Sequence, residues 1–510
     1  MSDNKRIARN TIFLYIRMVI LMCVGLYTSR VVLHALGVDD YGLYNVVGGV
    51  VMMFSFLNAT LSSSTQRFLN IEIGQGDSGN TSRVFSNAIT LHVILAVIIF
   101  VLAETVGLWY VNNRLVFDAT RITAVLWVYQ FSVATIIIQI VQLPFMAVII
   151  AHERMGAYAY LSIYEGVSRL AIALIIAVAD TDRMILYGAL MLFVQFSVAV
   201  FYNAYCQRSF SEARFRFAYD KKLMSQMIGF SSWNAIGNLA VVCNNQGVNI
   251  LLNFFFGTVI NAARGISFQV FNVVYQLINN VQLAVKPQII NLYAAGKKNE
   301  MASLTLNAAK ISGLLMTIVC APLIMEIDLI LRIWLVEYPA YTPVFITLIL
   351  VYLTVISMTG CLYIAVHASG YLRNVGICGG GVNLLVLPVS YLLLRMGASP
   401  AIPFIVNIVA AFMATAFTLF WLHYYIKFPV LRFFTRVYGT VIPVSIAIYL
   451  FTYAIHVLMD NSNEYLRLFT VISSSAVFSL VLCWFFAIDN NTRKKITETI
   501  NSKVKCYSQS

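Results

Sequence analysis

Charge is what this sequence lacks. Only 11% of its 510 residues are Asp, Glu, Lys or Arg, while 60% are hydrophobic. A soluble globular chain carries about 25% charged residues, so this composition cannot cover a water-facing surface and excludes an ordinary soluble domain. Acidic residues are scarcer than basic ones, 21 against 34, for a net charge of +13. In a soluble protein that excess would point to nucleic acid. Here it fits membrane topology better, because cytoplasmic loops collect Lys and Arg, and no nucleic-acid partner is expected. The eight cysteines are scattered, with no CxxC pair and no His/Cys cluster. They read as small apolar packing residues, with no metal or redox centre. P-loop, HExxH and GxSxG motifs are all missing, and no hydrophilic stretch is large enough to fold into a nucleotide-binding domain. The chain therefore reads as a cofactor-free non-enzyme, and any transport by it must draw on a gradient or run downhill.

What the chain has is long apolar runs. A membrane span needs roughly 20 apolar residues. That measure predicts fourteen, at about 11–33, 42–66, 86–110, 122–150, 157–179, 184–206, 228–255, 258–284, 306–327, 342–366, 373–394, 401–425, 437–458 and 466–488. The basic start MSDNKRIARN leads into an apolar segment too long for a secretory signal, so it reads as an uncleaved first helix. With the N-terminus placed in the cytoplasm, 24 of the 34 basic residues fall in cytoplasmic segments, 6 in outer segments and 4 inside spans. One missed helix would scramble that sorting, so the bias supports fourteen spans with both termini cytoplasmic.

The expected architecture is an all-α polytopic membrane protein. A six-helix half (1–206), a basic cytoplasmic linker (207–227) and a second six-helix half (228–425) are followed by two additional helices (426–488) and a basic tail (489–510). A shift of 220 residues lays Gly37 on Gly257, Gly76 on Gly296 and Asn87-Ala88 on Asn307-Ala308. Six is even, so the halves would be parallel repeats about a central cleft, an arrangement found in transporters. The turn LGVDDYGLYNVVGG between the first two spans holds Asp39 and Asp40 but no basic residue.

Polarity is concentrated in spans seven and eight. Fourteen Asn and Gln lie between 231 and 282, against two in the equal window 437–488. Asn234, Asn238, Asn245 and Asn249 share a stripe about 60° wide at ~100° per residue, and Asn261, Asn272, Gln276 and Asn279 form a second. Unpartnered polar groups in hydrocarbon are costly, so these residues are either a water-filled, substrate-lining face or interhelical hydrogen-bond glue. Arg17 and Arg264 lie at depths where charges mark function, whereas Arg30 sits near a span end, where snorkelling also explains it. Glu165 and Arg169 are spaced i, i+4. They are either a self-neutralising pair or an ion-coupling carboxylate with its partner, and His92 and Glu104 are weaker candidates for that coupling role. Prolines 144, 322, 388, 403 and 443 permit kinks.

The run from Asn10 to Leu69, above all Leu36, Gly37, Tyr41, Gly42 and Asn45 followed by SSTQRF ending at Phe68, resembles the opening of bacterial polysaccharide flippases. That family exports lipid-linked O-antigen or capsule repeat units and shares a superfamily with multidrug antiporters and lipid II flippases. The resemblance implies two halves forming a V around a cleft lined by spans one, two, seven and eight, in the bacterial inner membrane. It implies that Arg17 and Arg264, and more weakly Arg30, fork hydrogen bonds to the substrate's pyrophosphate, and that the Asn stripes meet sugar hydroxyls. The implied partners are the lipid-linked oligosaccharide, membrane lipid, a proton or sodium as coupling ion, and the polymerase and ligase machinery of the same glycan. A multidrug antiporter of the same fold is the alternative. A glycan polymerase or ligase would carry a large outer loop, which this chain does not have.

Overall fold

The computed structural model describes residues 3–53, 64–70, 72–73, 80–152, 154–213 and 219–487, without side chains at 3–19, 230–238 and six single positions between 280 and 372. Every regular element in it is helical. We number the long helices α1 (Asp3–Met52), α2 (Thr81–Leu102), α3 (Ile122–Ala151), α4 (Met155–Ala177), α5 (Arg183–Ser209), α6 (Lys221–Phe256) and α7 (Thr258–Ala294). They continue as α8 (Lys298–Met325), α9 (Ile327–Leu335), α10 (Thr342–Ser369), α11 (Leu372–Arg395), α12 (Ile402–Ile426), α13 (Gly439–Leu458) and α14 (Glu464–Leu482). Among the described residues, twelve stretches are long and apolar enough to cross a membrane, which makes the chain a multi-pass membrane protein.

The two expected spans that this count does not include separately are both helical. First, α1 holds two expected spans. It runs on through Gly37, whose φ of 78° and ψ of 171° are non-helical, and so becomes two limbs joined by one residue. The rest of the second expected span falls mostly at 54–63, outside the described residues. Second, α7 is a 37-residue helix whose Asn and Gln content keeps it out of the apolar class. Gly257 ends α6 with φ 77° and ψ −167°, almost the conformation of Gly37, onto which the 220-residue shift places it. That backbone region is essentially glycine-only.

Helix starts follow the sequence. Asn80 caps α2 by accepting from the Arg83 amide, Asp182 caps α5, Asp220 caps α6 and Asn463 caps α14. Each side-chain oxygen takes up backbone N–H groups that have no partner in the first turn. Prolines 144, 322, 388 and 443 are accommodated inside helices.

The chain divides into two compact units. The first comprises Met1–Gln269, Glu337–Thr342 and Gly380–Pro403, and the second the remainder. In the first, Val46, Val47 and Val50 of α1 pack with Ala103, Val128, Tyr129 and Val133 around α3. In the second, Leu314 of α8, Leu362 of α10, Leu419 of α12 and Val441 of α13 share a core. The face of α2 carrying Val97 and Val101 is exposed, as a lipid-facing surface would be. Cys206, Cys320 and Cys361 are free and buried. Among the described residues, no group of His, Cys, Asp and Glu could hold a metal ion.

Candidate functional site

The first unit brings together part of the expected constellation. Arg264, on α7, is only 6% exposed. Its Nη2 donates to the carbonyl of Asn245 on α6, and its guanidinium lies over the Phe268 ring at 4.2 Å. Its Nε is buried with no hydrogen-bond partner. Among the described residues, no carboxylate pairs with it. A buried guanidinium held by one carbonyl and one ring face keeps hydrogen-bond donors and a full charge available for an anion.

Beside it, the polar stripes form a relay of amides. Asn261 Nδ2 donates to the carbonyl and Oδ1 of Asn249 at 2.8 and 2.7 Å. Asn249 Nδ2 in turn donates to the carbonyl of Asn45 on α1 at 3.2 Å, and Asn45 Nδ2 to the Tyr41 carbonyl at 2.7 Å. Helices come this close because their contact residues are small. A Cβ on Gly42 would sit 2.0 Å from the Thr258 carbonyl oxygen, and one on Gly265 would sit 2.9 Å from the Asn45 side chain. Asn253 is fully buried and clamps the loop before α3, exchanging hydrogen bonds with both the N–H and C=O of Val116.

Other expected residues lie apart from this cluster. Asn272, Gln276 and Asn279 are exposed on the part of α7 that belongs to the second unit. Arg30 is half-buried on the first limb of α1. The side chains of Arg17, Asn234 and Asn238 lie outside the described residues. On α4, Arg169 Nη2 donates to Glu165 Oε1 at 2.5 Å. His92 is fully buried, with Nδ1 2.7 Å from the Ala88 carbonyl.

Sequence reasoning did not single out a network of charges at the outer turns. Arg121 forks onto Asp40 at 3.0 and 2.6 Å and onto Asp182 at 2.7 and 3.2 Å. Arg183 donates to the Ala35 carbonyl at 3.0 Å, and Thr258 Oγ1 to Asp39 at 2.9 Å. Asp40 therefore joins three turns through Arg121, and Asp39 ties the turn at Gly37 to the one at Gly257. In the second unit, Arg332 pairs with Glu464, while Arg467 pairs with Asp460 and with the fully buried Glu326, which His456 also contacts at 2.7 Å. The available signal was the rarity of basic residues in the expected outer segments, since four of those six, Arg121, Arg183, Arg332 and Arg467, tie turns together.

No family model and no curated protein matches the chain. Solved structures do. The chain is similar to the lipid II flippase MurJ in an inward closed conformation, with a TM-score of 0.69 at 13% identity over 94% of this chain and 98% of that one. It is also similar to an inward-facing MATE multidrug resistance transporter of the MOP superfamily, at 0.64 and 12% over 82% of this chain and 99% of that one. The MATE transporter DinF-BH in complex with R6G gives 0.60 and 13% over 83% and 96%. At such identities the likeness concerns architecture, and the chain has the fold of MOP-superfamily transporters.

Proposed function

We propose that the chain is a flippase that moves a lipid-linked oligosaccharide from the cytoplasmic to the outer leaflet of a bacterial inner membrane by alternating access, supplying surface polysaccharide synthesis. The observation that carries this reading is Arg264, a buried guanidinium with a free Nε and no carboxylate partner among the described residues. A structural arginine in hydrocarbon would be expected to have a counter-ion. One kept without an anion suits a cargo that brings its own, such as a diphosphate. Arg17, and more weakly Arg30, are assigned to the same anion by the resemblance of the first 80 residues, and Asn245, Asn249 and Asn261 to sugar hydroxyls. Residues 1–206 and 228–425 act as the two moving halves, both termini are cytoplasmic, and a proton or cation gradient supplies the energy.

A multidrug antiporter is the second reading, favoured by the MATE likenesses. The flippase reading is preferred because the likeness to MurJ extends over 94% of this chain against 82% for the MATE transporter, a shortfall about the size of α13 and α14 with their connections.

The test is a deletion strain in which surface polysaccharide and lipid-linked oligosaccharide are both quantified. Complementation uses wild type and an expressed Arg17→Ala, Arg264→Ala variant. Lost surface glycan with accumulated intermediate, rescued only by wild type, is the expected result. Normal glycan without intermediate in a strain with no second flippase rejects the reading and sends the search to drug export.

A further inference from the structure

Glu104 is the unusual carboxylate of the first unit. It lies in a π-helical turn, Ala103–Gly107, that interrupts the helix running from Thr81 to Asn113. Six residues separate it from the expected span limit at 110, or about 9 Å at ~1.5 Å per residue, which places it inside a ~30 Å hydrocarbon core. Such turns are frequent at functional sites.

The turn is held open from α3. The hydroxyl of fully buried Tyr129 donates to the Ala103 carbonyl at 2.6 Å. Gly107 leaves room for it, because a Cβ there would lie 2.2 Å from the Tyr129 oxygen. The next residue, Gln130, donates from Nε2 to Glu104 Oε2 at 3.1 Å. The other oxygen, Oε1, is buried and accepts nothing. Tyr129 is the titratable group facing the carboxyl from α3. The second limb of α1, which also packs on the turn, brings the apolar Val46, Val47 and Val50. Among the described residues, no basic side chain pairs with it. Glu165 differs, because Arg169 neutralises it within one helical turn.

A bare carboxylate with one neutral donor in hydrocarbon is unfavourable. It is relieved by a counter-charge, a metal cation or a proton. The counter-charge is missing. A metal cation needs several oxygen ligands, yet the Ala103 carbonyl is taken by Tyr129, and Gln130 turns its amide N–H, not its oxygen, toward the site. We propose that Glu104 is a proton-binding site. Oε1 takes a proton from water and later returns it, while Gln130 holds Oε2 in place. The turn that carries Glu104 packs against the α1 limb whose Asn45 engages Asn249, so the charge on Glu104 bears on the helix that also meets the Arg264 neighbourhood.

The test uses the purified full chain in lipid nanodiscs. Infrared difference spectra of wild type minus Glu104→Gln are expected to contain a protonated-carboxyl stretch that titrates with pH and does not respond to sodium. If that variant fails to fold, dicyclohexylcarbodiimide decides on wild-type protein, because it labels protonated carboxyls in apolar surroundings. Peptide mass spectrometry should then find Glu104 labelled and Glu165 unlabelled, with the label falling as pH rises. A difference spectrum without the band, or an unlabelled Glu104 where that reagent decides, overturns the proposal. Suppression of either signal by sodium assigns the site to a metal cation and also overturns it. Both readouts are made without cargo, so their failure leaves the flippase reading standing, and a missing glycan phenotype leaves Glu104 standing.

Discussion

Two arginines of the first unit, Arg121 and Arg264, are built in opposite ways. Arg121 faces two carboxylates, Asp40 and Asp182, and every group in that network has a partner. Arg264 is more deeply buried, yet it has one carbonyl and one aromatic face. Satisfied charge at the outer turns holds the frame together, whereas unsatisfied charge inside the helices is costly unless something arrives to meet it. Position along the chain does not separate the two cases. Partner chemistry does.

Substituting Arg264 should break this contrast most sharply. Arg264→Met is expected to lower transport at least about 100-fold, while the protein unfolds at the same temperature or higher, since replacing a buried ionic group by an apolar one is often neutral or stabilising by about 1–4 kcal/mol. Flipping in vesicles together with thermal unfolding of the same preparation measures both. A parallel loss of stability would make Arg264 a scaffold residue like Arg121.

Arg121→Ala should behave in the opposite way. It strands Asp40 and Asp182, which are 23% and 31% exposed at their side chains, so water recovers part of the loss and about 1–3 kcal/mol of stability should go. Transport per folded molecule should be retained. The amide relay comes next in size. A double-mutant cycle between Asn249→Leu and Asn261→Leu should report a coupling of about 0.6–2 kcal/mol, read from unfolding midpoints. Additive effects would mean that the relay is not energetically joined.

The smallest effect belongs to the N-terminal start of α6. Arg83 pairs with Asp220, and that hydrogen bond, with those from the Leu223 and Lys222 amides, holds the Asp220 carboxyl below its ordinary range. A carboxylate whose acidity is strengthened on folding adds stability that is complete above its unfolded-state titration and is lost as pH falls through the folded one. Wild type should therefore lose slightly more stability than Asp220→Asn on acidification. At neutral pH the wild type should be the more stable of the two, and high salt should narrow the gap.

Much of the frame was legible because hydrocarbon is an unforgiving solvent. Spans announce themselves by apolar length, whereas the caps Asn80, Asp182, Asp220 and Asn463 emerged only with the fold. The two discrepancies are informative. The charged turn at Asp39 and Asp40 separates the limbs of α1 in the sequence, although in the structure one glycine joins them without a loop. The polarity of α7 hides a helix from any measure based on hydropathy. At the site, periodicity placed Asn249 and Asn261 on their helices, and their partners followed only from the fold. Asn45 stood out through the resemblance rather than periodicity, and only the fold reveals that its carbonyl accepts from Asn249, since a backbone group leaves no trace in the residue name. Arg121 was visible as an outer basic residue, but its carboxylates lie 81 and 61 residues away.

The paired hinges at Gly37 and Gly257 have a mechanical consequence. A junction made by a single residue leaves only two torsions between the helices it joins, and both glycines occupy the same narrow well. Thr258 Oγ1 and Asp39 pin one hinge to the other. The ends of these limbs at the two glycines therefore form a fulcrum, and any splaying must grow with distance from it. If the limbs splay, a rotation of a few degrees at the pivot becomes a displacement of several ångströms at their far ends.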